Sequence, residues 1–121
     1  MMKVRLPIIA ATLIVPIAAG AQTPSASAAV FAPCKACHVI QRGAAHTVGP
    51  NLYGVVGRKA GSAAGYNYSP AMKGYGKTWT AAALDAYLTS PRLVVPGTKM
   101  TYAGMKDPSK RAAVVAYLQG K

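Results

Sequence analysis

An all-α fold is predicted by three observations. Three segments combine a helix-start signal with apolar residues at helical spacing, no segment alternates apolar and polar residues as a half-buried strand does, and glycine and proline crowd the stretch after the first helix. The first helix starts at Thr23-Pro24, a capping residue followed by proline at the first helical position. Its alanine-rich run through Val30 and Phe31 heads toward Cys34, with Pro33 limiting its end. Between residues 38 and 77, ten glycines and prolines exclude long regular elements and leave short helical turns over 51–56 and 70–73. The clearest helix covers 79–89, capped by Thr78, with Ala82, Leu84, Tyr87 and Leu88 on one buried face until Pro91 stops it. A loop over 91–106 is stiffened by Pro91 and Pro96 and turned by Gly97 and Gly104. Asp107-Pro108 opens the last helix, which brings Val114, Val115 and Leu118 together.

Residues 1–21 are expected to be a cleavable export signal rather than part of the fold. Lys3 and Arg5 give a positive start, residues 6–19 are apolar but broken by Pro7 and Pro16, and Ala19-Gly20-Ala21 has the small-x-small form of a cleavage site. The apolar run is shorter than the roughly 20 residues a spanning helix needs, and the rival reading is a retained membrane anchor. Cleavage leaves one small domain over 22–121, periplasmic and without a membrane span of its own. Of the formal charge of +12, loss of Lys3 and Arg5 leaves +10, which calls for an acidic partner.

Cys34-Lys35-Ala36-Cys37-His38 is the strongest chemical signal, since C-x-x-C-H is the attachment pattern of c-type haem. Two thiols one helical turn apart can each bond a different edge of one porphyrin, and the next residue can present its imidazole to the iron. Other readings are weaker. A disulfide across two intervening residues restrains almost nothing in the unfolded chain. A zinc site needs a fourth ligand, and a thioredoxin-like dithiol should follow a strand. His46 is expected to be a solvated loop residue. The sixth iron ligand is sought among His46, Met72, Met100 and Met105. Met100 stands out because Val95-Pro96-Gly97-Thr98-Lys99-Met100 is irregular and proline-stiffened, and loops held that rigidly present something. A thioether favours ferrous iron and raises its potential.

With C-K-A-C-H at 34–38 stand G-P-N-L-Y-G at 49–54, G-R-K-A-G at 57–61, Y-N-Y-S-P-A-M at 66–72, T-W-T at 78–80 and Y-L-T-S-P-R-L-V-V-P-G-T-K-M at 87–100. Through these motifs, which span nearly all of 22–121, the chain resembles the class I c-type cytochromes, close to mitochondrial cytochrome c and its soluble bacterial relatives. The resemblance implies N- and C-terminal helices that cross, with long loops wrapped around one covalent haem c. It implies attachment through Cys34 and Cys37 and axial ligands His38 and Met100. It also implies Pro50 as carbonyl acceptor for the His38 ring, Arg58, Tyr68, Trp79 and Thr98 at the propionates, and Tyr87 near the Met100 sulfur. The pattern is departed from at Ala26, where relatives often carry the glycine of the helix crossing against Tyr117. Tyr102 replaces a common phenylalanine, and Pro33, Ala45 and Asp107 stand where mitochondrial members carry lysines.

With both axial positions filled, the expected activity is outer-sphere carriage of single electrons by a monomer, not catalysis. A peroxidase or ligand sensor is the rival. Lys35, Arg92, Lys99 and Lys106 could ring the exposed haem edge. The implied partners are a quinol:cytochrome c oxidoreductase as donor and a terminal oxidase as acceptor; nucleic acid is not expected.

Overall fold

Helix starts are written locally in this chain, as a small polar residue followed by proline or alanine. The computed structural model describes residues 7, 10–16 and 26–121; the expected cleavage site and the Thr23-Pro24 cap lie outside them. Five α-helices occur among the described residues: α1 (Ala26–Val30), α2 (Pro70–Tyr75), α3 (Ala81–Thr89), α4 (Pro91–Val94) and α5 (Pro108–Gln119). A 3-10 turn, Ala32–Ala36, follows α1. Among the described residues there is no strand, only an isolated bridge between Lys59 and Thr78. Ser69 accepts the Met72 N–H at 3.0 Å to start α2, and Asp107 accepts from Ser109 and Lys110 to start α5.

Four expectations need correction. The cap of α3 is Thr80, whose hydroxyl accepts the Ala83 N–H at 3.1 Å, and not Thr78. Trp79 cannot join the helix because its backbone is engaged elsewhere: it donates to the Arg58 carbonyl at 2.9 Å and accepts from Gly57 at 2.8 Å. Ala82, expected on the inner face, is exposed, while Leu84, Tyr87 and Leu88 are buried. The stretch after Pro91 is not loop throughout, for Pro91 ends α3 and then serves as the first residue of α4. Over 51–56 the backbone makes turns, with Val55 donating to Leu52 and Arg58 to Val55, rather than a helical turn.

α5 packs against both α1 and α3, and α3 packs against α4. Phe31, fully buried, sets its ring 4.9 Å from that of Tyr117, and Val114 and Leu118 fill the layer beneath. The Ala26 side chain lies outside the described residues. Tyr75, Trp79 and Tyr87 form an aromatic run with ring centroids 5.7 and 5.0 Å apart. The loop leaving α4 is drawn back onto the end of α3, where Met105 N–H meets the Leu88 carbonyl at 2.8 Å and Lys106 Nζ meets that of Thr89 at 2.7 Å. Gly104 permits this approach: its φ is +113°, and a Cβ there would overlap the Thr89 carbonyl.

Gly104→Ala should therefore destabilise the protein by about 2–4 kcal/mol in denaturant unfolding, combining a strained φ with a backbone clash. A second expectation concerns acid. The Ser109 hydroxyl, with the Lys110 and Ser109 amides, holds the Asp107 carboxyl below its ordinary value. Its stabilisation is thus present above the unfolded pKa of about 4 and is lost as pH falls through the lower folded value. Asp107→Ala should lower the thermal midpoint at neutral pH by a few degrees, and the gap to the native protein should close in acid.

Candidate functional site

Residues 34–38 form one helical turn because the Cys34 carbonyl accepts both the Cys37 amide at 3.1 Å and the His38 amide at 2.9 Å. Positions i, i+3 and i+4 share a side, so both thiols and the imidazole project from one face of the turn. All three residues border one cavity of about 290 Å³. Burial, and then Cys37 beside it, pushes the Cys34 thiol above its ordinary value. That disfavours the thiolate on which a dithiol redox centre depends.

The next segment closes on this turn. Gly49 N–H and the Thr47 hydroxyl both donate to the Cys37 carbonyl, each at 2.7 Å. Gly49 packs directly on the His38 ring, and a Cβ there would overlap it. His38 Nδ1 donates to the Pro50 carbonyl at 2.8 Å, which leaves Nε2 as the bare nitrogen. Burial lowers the imidazole pKa, opposed by the Pro50 bond, a shift toward the neutral form that binds metal. Asn51, beside it, is buried and fully engaged: its amide nitrogen donates to the Gln41 and Ala44 carbonyls, and its carbonyl oxygen accepts from Tyr53. His46 is not the solvated residue expected. It is half-buried, Nδ1 accepts the Asn51 backbone N–H at 2.9 Å and Nε2 meets the Ala64 carbonyl at 2.8 Å.

Of the four sixth-ligand candidates, Met72 and Met100 border the cavity; His46 and Met105 do not. Met72 belongs to α2 and packs in the core cluster. Met100 lies in the loop, with its N–H directed to the Thr98 hydroxyl at 3.3 Å. Cations hold that loop at both flanks: Lys99 Nζ reaches the Asn67 carbonyl at 2.7 Å and Arg92 that of Thr101 at 3.2 Å. Together with Lys106, three of the four residues expected to ring an exposed edge thus tie backbone segments together. Lys35 is exposed.

Pro50, Arg58, Tyr68, Trp79, Tyr87 and Thr98 complete the expected set, and every one borders the same cavity. The Arg58 guanidinium donates to the Asn51 and Tyr53 carbonyls at 3.2 and 3.4 Å, which fixes it while leaving further N–H groups. Tyr68 accepts the Ala63 N–H at 3.1 Å and retains its own proton for donation. Tyr87 pairs with the Thr98 hydroxyl at 2.9 Å, and burial pushes its phenol above the ordinary value. The Trp79 indole N–H takes no partner from the described residues.

Much of the remaining wall is apolar, with Leu52, Val55, Leu84, Leu88, Val114 and Leu118. The residues fit a haem: the lining is largely apolar, donors gather for its carboxylates, and the donor atoms, imidazole and thioether, suit iron. Among the described residues no three His, Cys, Asp or Glu side chains gather as a metal site. The wiring of Asn51 and His46, and the Gly49 approach, were not legible in the sequence, because their partners are backbone groups of other loops. The G-P-N run was the one available signal.

No family model matches the chain. It is similar to the cytochrome c2 of Rhodomicrobium vannielii, with 54% identity over 89 residues that cover 74% of this chain and 71% of the relative. Similarity to the cytochrome c of Cannabis sativa reaches 48% over 86 residues, 71% of this chain and 78% of the relative. Among solved structures, cytochrome cH from Methylobacterium extorquens matches with a TM-score of 0.74 and 48% identity, over 78% of this chain and 95% of that one. Given these similarities and a cavity bounded by the C-x-x-C-H turn, the chain belongs to the class I c-type cytochromes.

Proposed function

We propose that the protein is a soluble electron carrier that shuttles one electron at a time between membrane redox complexes by outer-sphere transfer through a single haem c ligated by His38 and Met100. The observation that carries this reading is the convergence of Cys34, Cys37, His38 and Met100 on one cavity. Bound haem supplies a one-electron iron couple whose potential the axial ligands set. The chain's residues do the rest. Cys34 and Cys37 would hold the macrocycle covalently, as relatives named cytochrome c imply. His38 and Met100 would fill both axial positions, which leaves no place for a substrate on iron and separates a carrier from an enzyme. Pro50 orients His38, Arg58, Tyr68 and Trp79 supply donors for the propionates, and the Tyr87–Thr98 pair holds the Met100 loop. The packing of α1 on α5 and the loops that border the cavity support helices crossing beside a wrapped haem.

Charge supports the partner class. The chain has only two acidic residues, and both are used internally: Asp85 pairs with Arg111 at 2.8 Å and Asp107 caps α5. The cationic surface is therefore uncompensated and suits brief, salt-sensitive encounters with acidic faces, with a quinol:cytochrome c oxidoreductase as donor and a terminal oxidase as acceptor. A monomer in the periplasm, formed by cleavage after Ala21, completes the reading. No helix among the described residues is long and apolar enough to cross a membrane.

The ferric protein should show the weak far-red absorption band of methionine-bound haem, and Met100→Ala should abolish it. A band that survives the substitution would assign the sixth position elsewhere, and its absence from the unsubstituted protein would favour the open-site rival, a peroxidase or sensor. N-terminal sequencing of protein exported by a bacterial host should begin at Gln22; retention of residues 1–21 would indicate an anchor instead.

A further inference from the structure

Pro50 and Asn51 share one peptide group, and an imidazole holds each of its polar atoms. His38 Nδ1–H donates to the carbonyl oxygen at 2.8 Å, and the N–H of the same peptide donates to His46 Nδ1 at 2.9 Å. An amide N–H can only donate, so His46 Nδ1 carries no proton. Its proton is on Nε2, which faces the Ala64 carbonyl at 2.8 Å. Every donor in this chain therefore points the same way, from His38 through the peptide and His46 to Ala64. Hydrogen bonds aligned in this manner polarise one another. Drawing density from the N–H end of an amide makes its carbonyl oxygen a different acceptor from one whose N–H is unbound.

The surroundings leave the peptide little freedom. The Asn51 carbonyl accepts from Arg58, its side chain is bound at three points, and the Tyr66 ring packs edge-on to His46 at 5.6 Å. His46 does not border the cavity. Its hydrogen-bonded route to the cavity runs through the peptide.

We propose that His46 is a positioning residue for electron carriage: through the Pro50–Asn51 peptide it sets how strongly His38 is hydrogen-bonded, and so how strongly that imidazole donates to iron. The proposal rests on the reading of His38 as an axial ligand. A stronger bond at Nδ1 makes the imidazole a more basic donor, and a more basic donor stabilises ferric iron over ferrous. Loss of the His46 acceptor should therefore favour the reduced state. The effect should be smaller than the 10–100-fold that follows loss of a directly bound outer partner.

The test uses full-length, haem-loaded protein and two substitutions. His46→Leu removes both hydrogen bonds. His46→Gln offers a carbonyl to Asn51 N–H and an N–H to Ala64. Two readouts are taken on each: the reduction potential, and the nuclear magnetic resonance position of the His38 Nδ1 proton in the ferrous state. His46→Leu should shift the redox equilibrium about threefold toward the reduced form, about 28 mV at 59 mV per tenfold, and move the His38 proton toward the position of a weaker hydrogen bond. His46→Gln should recover at least half of both changes. If both variants lose thermal stability while the potential and the His38 proton stay at their native values, His46 is only a loop tie and the proposal is overturned. One measurement needs no variant: a scalar coupling between the Asn51 amide nitrogen and His46 Nδ1 in the native protein supports the relay, and its absence overturns it. Failure of the carrier reading is distinguishable, since that failure removes the methionine band or the reversible couple from the native protein while the His38 proton and the coupling can still be read.

Discussion

The constraint on which this structure depends is that the core residues and the C-x-x-C-H turn border one shared cavity. Around a domain of this size the usual solution is a continuous apolar centre, yet here α3, α5 and the 48–58 loop turn their inward residues toward a shared cavity. The architecture of the molecule follows from supplying walls for that space. Phe31 and Tyr117 join the N-terminal turn to α5, so the attachment residues of 34–38 and the floor made by Val114 and Leu118 are one rigid unit. A covalently held group of the right size would complete the core and fix the function together, which is how a domain with a modest core of its own reaches stability.

What surrounds the cavity is held mainly by hydrogen bonds to backbone rather than by ion pairs. The Cys37 carbonyl binds the 47–49 segment, Asn51 gathers the 41–44 carbonyls, and Lys99, Arg92 and Lys106 each reach across to a carbonyl of another segment. This arrangement suits a carrier. Long loops are ordinarily the mobile parts of a fold, but an outer-sphere centre gains from keeping its iron ligands in place through both oxidation states. The cations serve two ends at once, since a side chain that ties a carbonyl retains its charge for an encounter surface. With both carboxylates committed to Arg111 and to the α5 cap, little opposes that charge.

The attachment turn was legible in the sequence because its chemistry is local: Cys34, Cys37 and His38 need only one turn of helix to act together. The same holds for the cap at Asp107. Met100 is singled out in the sequence by its stiff loop, and the cavity sets it beside only one of its three rivals, Met72. Features that rest on long-range backbone pairing were not legible. Thr78 looked like the cap of α3 until Trp79 was found paired with Arg58, a contact 21 positions away. His46 looked solvated because nothing near it in sequence needs it; its partners are an amide and a carbonyl that two loops bring together. The short α4 was hidden by Pro91, which both ends one helix and begins the next.

The central claim is that a haem bonded to Cys34 and Cys37 completes this core. Mass spectrometry of protein from cells competent in c-type haem attachment, denatured before measurement, tests it most directly. The account predicts a mass equal to the polypeptide plus one haem, with the added mass confined to the peptide that contains residues 34–37. Recovery of the bare polypeptide mass, with haem released on denaturation, would contradict it.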